Sequence, residues 1–374
     1  MPEKFAFPQR IRRLTPLADV LARIHASVNS VAERAAALED ALGCVLAADI
    51  IVGEPLPRVT LALRDGWAVQ SALTSDASSY APAPTPSAVR IDTGEPLPPE
   101  ADAVAAIDGV IVHAGHVQAV APVNPGEGVL PAGADLARGA ALLHAGRKVS
   151  ATHIALLKST GVRNVRLRAP RVLLARARVR ADPTMDAALQ CIAHAVACAG
   201  ATAVRCDANA DLKEILQAAD TDAAVIIGGT GCGEDDQAVA SLAAVGDVAV
   251  HGIALIPGET AAFGTVRGRP ALLLPGRLDA VLAVWHMLGR PLLARLSASN
   301  ETLYVRHATL TRKVTSAAGL TELIPVACKE GLATPLAAAY LPLAALAQAN
   351  GWLLIPPESE GFQAQSEVVI RPWP

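Results

Sequence analysis

Between residues 16 and 46 the apolar positions repeat at helical spacing. Leu17, Val20, Leu21 and Ile24 share one face and the stretch 32–42 continues the rhythm, which predicts helix over both. The run 53–57, Gly-Glu-Pro-Leu-Pro, breaks it. From 61 to 123 the pattern changes to short strands, at 67–69, 89–91, 103–107, 110–112 and 117–120. The Ser-, Ala- and Pro-rich segment 71–87 between the first two predicts a mobile surface loop. Glycine turns crowd 123–146, and 152–160 predicts a short helix stopped by Gly161.

A β-α-β alternation begins at Pro170. It runs strand 172–175, helix 185–199 ended by Gly200, strand 203–206, helix 212–219 and strand 223–227, the signature of a parallel sheet covered by helices. Three apolar runs then end in glycine turns. Residues 223–227 lead into Gly228-Gly229-Thr230-Gly231-Cys232-Gly233, 248–256 into Pro257-Gly258, and 271–274 into Pro275-Gly276-Arg277, which opens a helix-like stretch to 296. Strand ends emptying into such turns at one sheet edge predict a ligand crevice, because glycine lets a phosphate or flat ring approach the backbone. After Pro291, strands at 304–310, 323–326, 352–355 and 368–370 predict a small all-β C-terminal domain.

Composition narrows the function classes. Aromatics are only 3% of the chain, which argues against a base-stacking platform. The net charge of -3 without a long basic run argues against a nucleic-acid partner. No apolar stretch reaches the length of a membrane helix, and residues 1–13 carry no signal-peptide core; a cytoplasmic protein is expected. The six cysteines form no C-x-x-C pair and predict reduced, mostly buried thiols. Cys191 and Cys198, seven apart on one helix face, are expected in the core, and Cys232 is expected as a small loop filler.

Four blocks carry a resemblance. Leu63-Arg64-Asp65-Gly66-Trp67-Ala68-Val69 is similar to S-A-M-D-G-Y-A-V. Ile91-Asp92-Thr93-Gly94-Glu95-Pro96-Leu97-Pro98 with Ala101-Asp102-Ala103-Val104 resembles I-x-T-G-A-x-L-P and A-D-A-V. The loop 228–236 resembles G-G-V-S-V-G-x-x-D. Residues 256–260 and 274–278 resemble K-P-G-K-P and L-P-G-N-P. In order and spread these resemble the molybdopterin molybdenumtransferase family, MoeA and the gephyrin E domain.

The resemblance implies a multidomain α/β, L-shaped subunit. It would have a helical/linker domain (1–52 with 137–168), a β-rich domain (53–136), an α/β molybdopterin-binding domain (169–300) and a C-terminal β-barrel domain (301–374). It implies a homodimer whose cleft is shared, and transfer of molybdate onto adenylylated molybdopterin with Mg²⁺, releasing AMP. Asp65 and Asp236 would be the catalytic and metal-holding carboxylates. Thr93, Gly94, Gly228, Gly229, Thr230, Gly231, Gly233, Pro257, Gly258, Pro275, Gly276 and Arg277 would bind the cofactor.

Departures from the family pattern fall inside the site. Ile256 and Glu259 replace two lysines, Gly231 a serine, Arg277 an asparagine and Leu278 a proline. No acid stands at 176–179, and Leu130-Pro131-Ala132 replaces a basic cluster. These changes predict weak or absent molybdate insertion, since anion transfer needs charges fixed in advance. A non-catalytic cofactor carrier or scaffold is an alternative, as is a nucleotide-binding α/β protein unrelated to molybdenum. Each candidate also has a plain structural reading. Asp65-Gly66 and Thr93-Gly94 suit ordinary turns. Asp236, with Glu234 and Asp235, suits the first turn of a helix. Arg277 suits either a ligand phosphate or a salt bridge to Glu259.

Overall fold

The structure is a computed structural model that describes residues 9–177, 183–206, 211–217, 220–301 and 304–373. The chain forms two compact units. One comprises Met1–Ala48, Ala145–Lys158 and Val162–Pro374; the other is Asp49–His144 with Ser159–Gly161.

The larger unit is built on a six-stranded sheet. Its order is Thr202–Arg205, Arg171–Arg176, Ala223–Ile227, Arg269–Leu274, Ala262–Val266, Asp247–His251. The first four strands are mutually parallel, Ala262–Val266 is antiparallel to Arg269–Leu274, and Asp247–His251 is antiparallel to Ala262–Val266. Every residue of Ala223–Ile227 is buried, as expected of a central strand covered on both faces. Helix Pro183–Cys198 and the helical stretch from Leu278 pack on one face, and Leu212–Gln217 with Ala238–Val245 on the other. The order of the first three strands places a topological switch beside Ala223–Ile227, where such sheets hold ligands.

Several expectations are corrected here. The run 248–256 is not one strand. At Gly252 (φ +96°) the chain leaves the six-stranded sheet. Ile253–Ile256 then pairs in parallel with Thr15–Pro16 on one side and with Thr321 and Glu322 on the other. The stretch 32–42 is not helical. Arg34–Ala37 pairs antiparallel with 164–167, and a 3₁₀ turn, Leu38–Ala41, follows. Its alanines suit either state, and the neighbouring strand decides between them. The expected helix 212–219 is Leu212–Gln217, with 218 and 219 outside the described residues.

The C-terminal strands Arg306–Leu310, Thr321–Lys329, Leu332–Pro335, Gly351–Ile355 and Glu367–Pro372 close into a ring, because Thr321–Lys329 pairs with both Leu332–Pro335 and Gly351–Ile355. A closed ring leaves no sticky edge. It is not purely β, since it carries the helix Leu343–Gln348. The stretch after Arg277 is a helix interrupted by a π-helical turn, Trp285–Gly289.

The smaller unit is built of short strands with the 3₁₀ turns Ser71–Thr74 and Ile107–Gly109. Gly66–Val69 lies between Val89–Ile91 and Ala103–Ala106, all antiparallel. The segment 71–87 is not a bare loop. It contains a 3₁₀ turn, Ser71–Thr74, and a strand pairing Ala83–Pro84 with 118–119, and it buries Ser71, Thr74 and Thr85. The Asp102 carboxylate accepts from Ser71 N at 2.7 Å and Ser71 Oγ at 2.6 Å, so the aspartate of the A-D-A-V block holds this turn.

Candidate ligand-binding cleft

The glycine turns converge on a cleft of about 360 Å³ in the larger unit, lined by 229–231, 258–260, 275–277, Asp236, Met185 and Ala280. Two of the turns follow neighbouring parallel strands, Ala223–Ile227 and Arg269–Leu274. The third, Pro257-Gly258, arrives from the other sheet. The convergence is therefore made by two sheets, not by one edge of a single sheet.

The first turn is tightly fixed. Gly229 has φ +69°, and a Cβ there would sit 2.8 Å from Ala177 Cβ. The loop's own scaffold therefore leaves no room for a side chain there. Thr230 is 1% exposed, with its hydroxyl 2.9 Å from Thr260 Oγ1. His251 Nε2 donates to the Thr230 carbonyl at 2.9 Å. Asp236 accepts from Gly233 N at 3.0 Å and precedes the helix Ala238–Val245. Its carboxylate therefore closes the glycine loop and does not sit in the helix's first turn.

Arg277 takes a course that neither sequence reading anticipated. Its Nε donates to Asp279 Oδ1 at 3.1 Å and its Nη2 to Oδ2 at 2.5 Å, a bidentate pair. The guanidinium also lies 5.1 Å from the centre of the Tyr340 ring. Asp279 is 3% exposed and further accepts from Ala280 N and Leu341 N. The hydrogen bond to Asp279 pushes the Arg277 pKa further up. The Glu259 carboxylate accepts from Gly258 N at 2.9 Å. Asp279 is a site-shaping residue that the motif comparison passed over; an acid two residues after the arginine was the available signal.

Asp65, Thr93 and Gly94 belong to the smaller unit. Asp65 Oδ1 accepts both Thr93 N at 2.8 Å and Thr93 Oγ1 at 2.9 Å, and these bonds hold its carboxyl below the usual range. Gly94, at φ +87°, donates its N–H to the Ala62 carbonyl at 2.8 Å. Among the described residues no group of three or more His, Cys, Asp or Glu converges. Exposed single carboxylates do suit Mg²⁺, a hard ion that keeps most of its waters. Of the stretch 176–179, residues 178 and 179 lie outside the described residues.

The cysteines differ from expectation. All six are free, and only Cys44 is buried; Cys191, Cys198 and Cys232 are exposed. On helix Pro183–Cys198 the buried face is Met185, Ala188, Ile192 and Val196; Cys191 and Cys198 share a neighbouring face outside that stripe. Among the described residues no helix is long and apolar enough to cross a membrane.

A parallel α/β sheet with a glycine-turn cleft, joined to a closed β-ring and a β-rich unit, defines a multidomain α/β protein of the ligand-binding class. Family models match in the order MoeA N-terminal region (domain I and II) at 15–161, probable molybdopterin binding domain at 174–295 and MoeA C-terminal region (domain IV) at 307–373. The chain belongs to the MoeA family. Molybdopterin molybdenumtransferase 2 of Mycobacterium tuberculosis is 28% identical over 380 residues, covering 89% of this chain and 93% of the relative. Molybdopterin molybdenumtransferase 1 of the same organism is 25% identical over 411 residues, covering 91% and 94%. The molybdopterin biosynthesis MoeA protein of Pyrococcus horikoshii superposes with a TM-score of 0.77 at 26% identity, covering 97% of this chain and all of the other.

Proposed function

We propose that the chain acts in molybdenum cofactor biosynthesis by binding molybdopterin or its adenylylated form in the glycine-turn cleft, and that its own molybdate insertion is weak. Family membership supports the pathway. The charge inventory of the cleft supports the weakness and carries this reading. Asp236 and Glu259 line it as carboxylates, and its arginine is engaged by the buried Asp279. An incoming anion therefore meets little uncompensated positive charge. Losing one preorganised contact to developing charge costs about 2–4 kcal/mol of barrier. Thr230, Thr260 and the turn backbones would hold the pterin; Asp236, at the cleft, and Asp65, in the smaller unit, are each a candidate carboxylate for Mg²⁺. The same reading takes the chain as four domains with limits near 52, 136, 168 and 300, working as a homodimer.

The test is rescue of a strain lacking its own transferase, scored by nitrate reductase activity without added molybdate. The expected result is no rescue by the native chain and partial rescue by Ile256→Lys with Glu259→Lys. Full rescue by the native chain would sink the charge argument. In parallel, anaerobic titration with molybdopterin should show binding. Affinity for a nucleotide with none for the pterin would favour the nucleotide-binding reading.

A further inference from the structure

The helix Ala238–Val245 follows the glycine loop and has no cap of its own: Gln237, at its N-cap position, makes no side-chain cap hydrogen bond. The first turn of any helix leaves N–H groups that need outside partners. Here they are met from 230 residues away. Gln9 Oε1 accepts from Val239 N at 2.8 Å and from Ala240 N at 3.0 Å. Its Nε2 donates to the Gly229 carbonyl at 3.0 Å and the Gly231 carbonyl at 2.9 Å. A carboxamide has two donor hydrogens and two acceptor positions, and all four are used on this one loop. Gly229 O also accepts from Ala238 N at 2.9 Å, so the amide spans both ends of the segment that it ties.

The chain carrying Gln9 is itself anchored. Thr15 N donates to Gly252 O at 2.9 Å, and Thr15–Pro16 pairs with 253–254. Ile11 lies so close to Gly252 that a Cβ there would be 2.4 Å from Ile11 Cγ2. Gln9 does not line the cleft, whereas Gly229, Thr230 and Gly231 do. The amide therefore grips the loop away from its ligand-facing side. Residues 9–14 also precede the segment that the family model matches, which begins at residue 15.

We infer that Gln9 is a positioning residue: a helix cap supplied by tertiary contact that holds the glycine loop in its binding geometry. This rests on the proposed pterin site only for its effect on affinity; the grip on the loop stands apart from it.

Two substitutions separate the halves of the clasp. Gln9→Ala removes all four bonds. Gln9→Glu keeps the acceptors for Val239 and Ala240 but sets an anionic oxygen against two carbonyls. Amide hydrogen exchange on the ligand-free chain should be faster at Val239 and Ala240 by at least about tenfold in Gln9→Ala, and near native there in Gln9→Glu. Molybdopterin affinity, measured anaerobically, should fall by at least about tenfold in both, with cooperative unfolding retained. A role in general packing alone would not give this split. Native exchange at Val239 and Ala240 in Gln9→Ala, or native affinity in either variant, would overturn the inference. If Gln9→Ala does not fold, Gln9→Glu decides by affinity. A native chain that binds no molybdopterin defeats the proposed site, while the exchange result still decides the clasp.

Discussion

Arg277 illustrates how one side chain can look available in sequence and be engaged in the fold. Its guanidinium is fixed by Asp279 and by the Tyr340 ring, so the cation is oriented but partly neutralised. Asp279 also serves Ala280 N and Leu341 N from a position only 3% exposed. Asp279→Ala would remove all these acceptors and leave buried N–H groups unmet. The expected loss is about 1–3 kcal/mol of stability, read as a lower urea midpoint with unchanged slope. An unchanged midpoint would show that the carboxylate is dispensable to the fold.

At the scale of elements, the π-helical turn Trp285–Gly289 sets His286 in an apolar setting. The ring is 6% exposed, neither nitrogen has a hydrogen-bond partner, and its centroid lies 6.1 Å from that of Trp352 and 5.6 Å from that of Trp373. Burial, helped by the charge of Arg290, lowers its pKa from 6.5 to about 4. The unfolded chain therefore binds a proton that the folded chain refuses. Stability is fully present above pH 6.5 and falls as the pH drops towards 4, by roughly 3 kcal/mol in all. Urea unfolding between pH 7 and pH 4 should show this slope in the native chain and less of it in His286→Phe. Equal slopes would mean that other groups carry the acid sensitivity.

For the molecule as a whole, the family's shared cleft leads to the expectation of a homodimer in solution. Light scattering should give twice the 38.4 kDa chain mass. A single-chain mass over a wide concentration range would count against the dimer and against a site completed by a second copy. The two units are joined through chain crossings near 48, 144 and 158–162, so the smaller unit is inserted within the larger one's sequence and not appended to it. The motif carrying Asp65 and Thr93 lies in that insertion.

The sequence by itself determined what local pattern can determine. The buried strand 223–227, the helix stop at Gly200, the short strands around Trp67 and the glycine turns were legible because periodicity and glycine placement act over a few residues. The order of the motif blocks also indicated the family. Only tertiary structure decided the rest. It split 248–256 between two sheets at Gly252, turned 34–37 into a strand beside 164–167, and gave Arg277 to Asp279. It also brought Gln9 to a helix 230 residues away. Except for the Arg277–Asp279 pair, where the choice lay between an acid two residues away and other partners, each depends on a partner distant in the chain. A backbone donor, a guanidinium or an alanine strand has several acceptable partners in sequence, and folding selects among them by pairing the backbone groups that it buries.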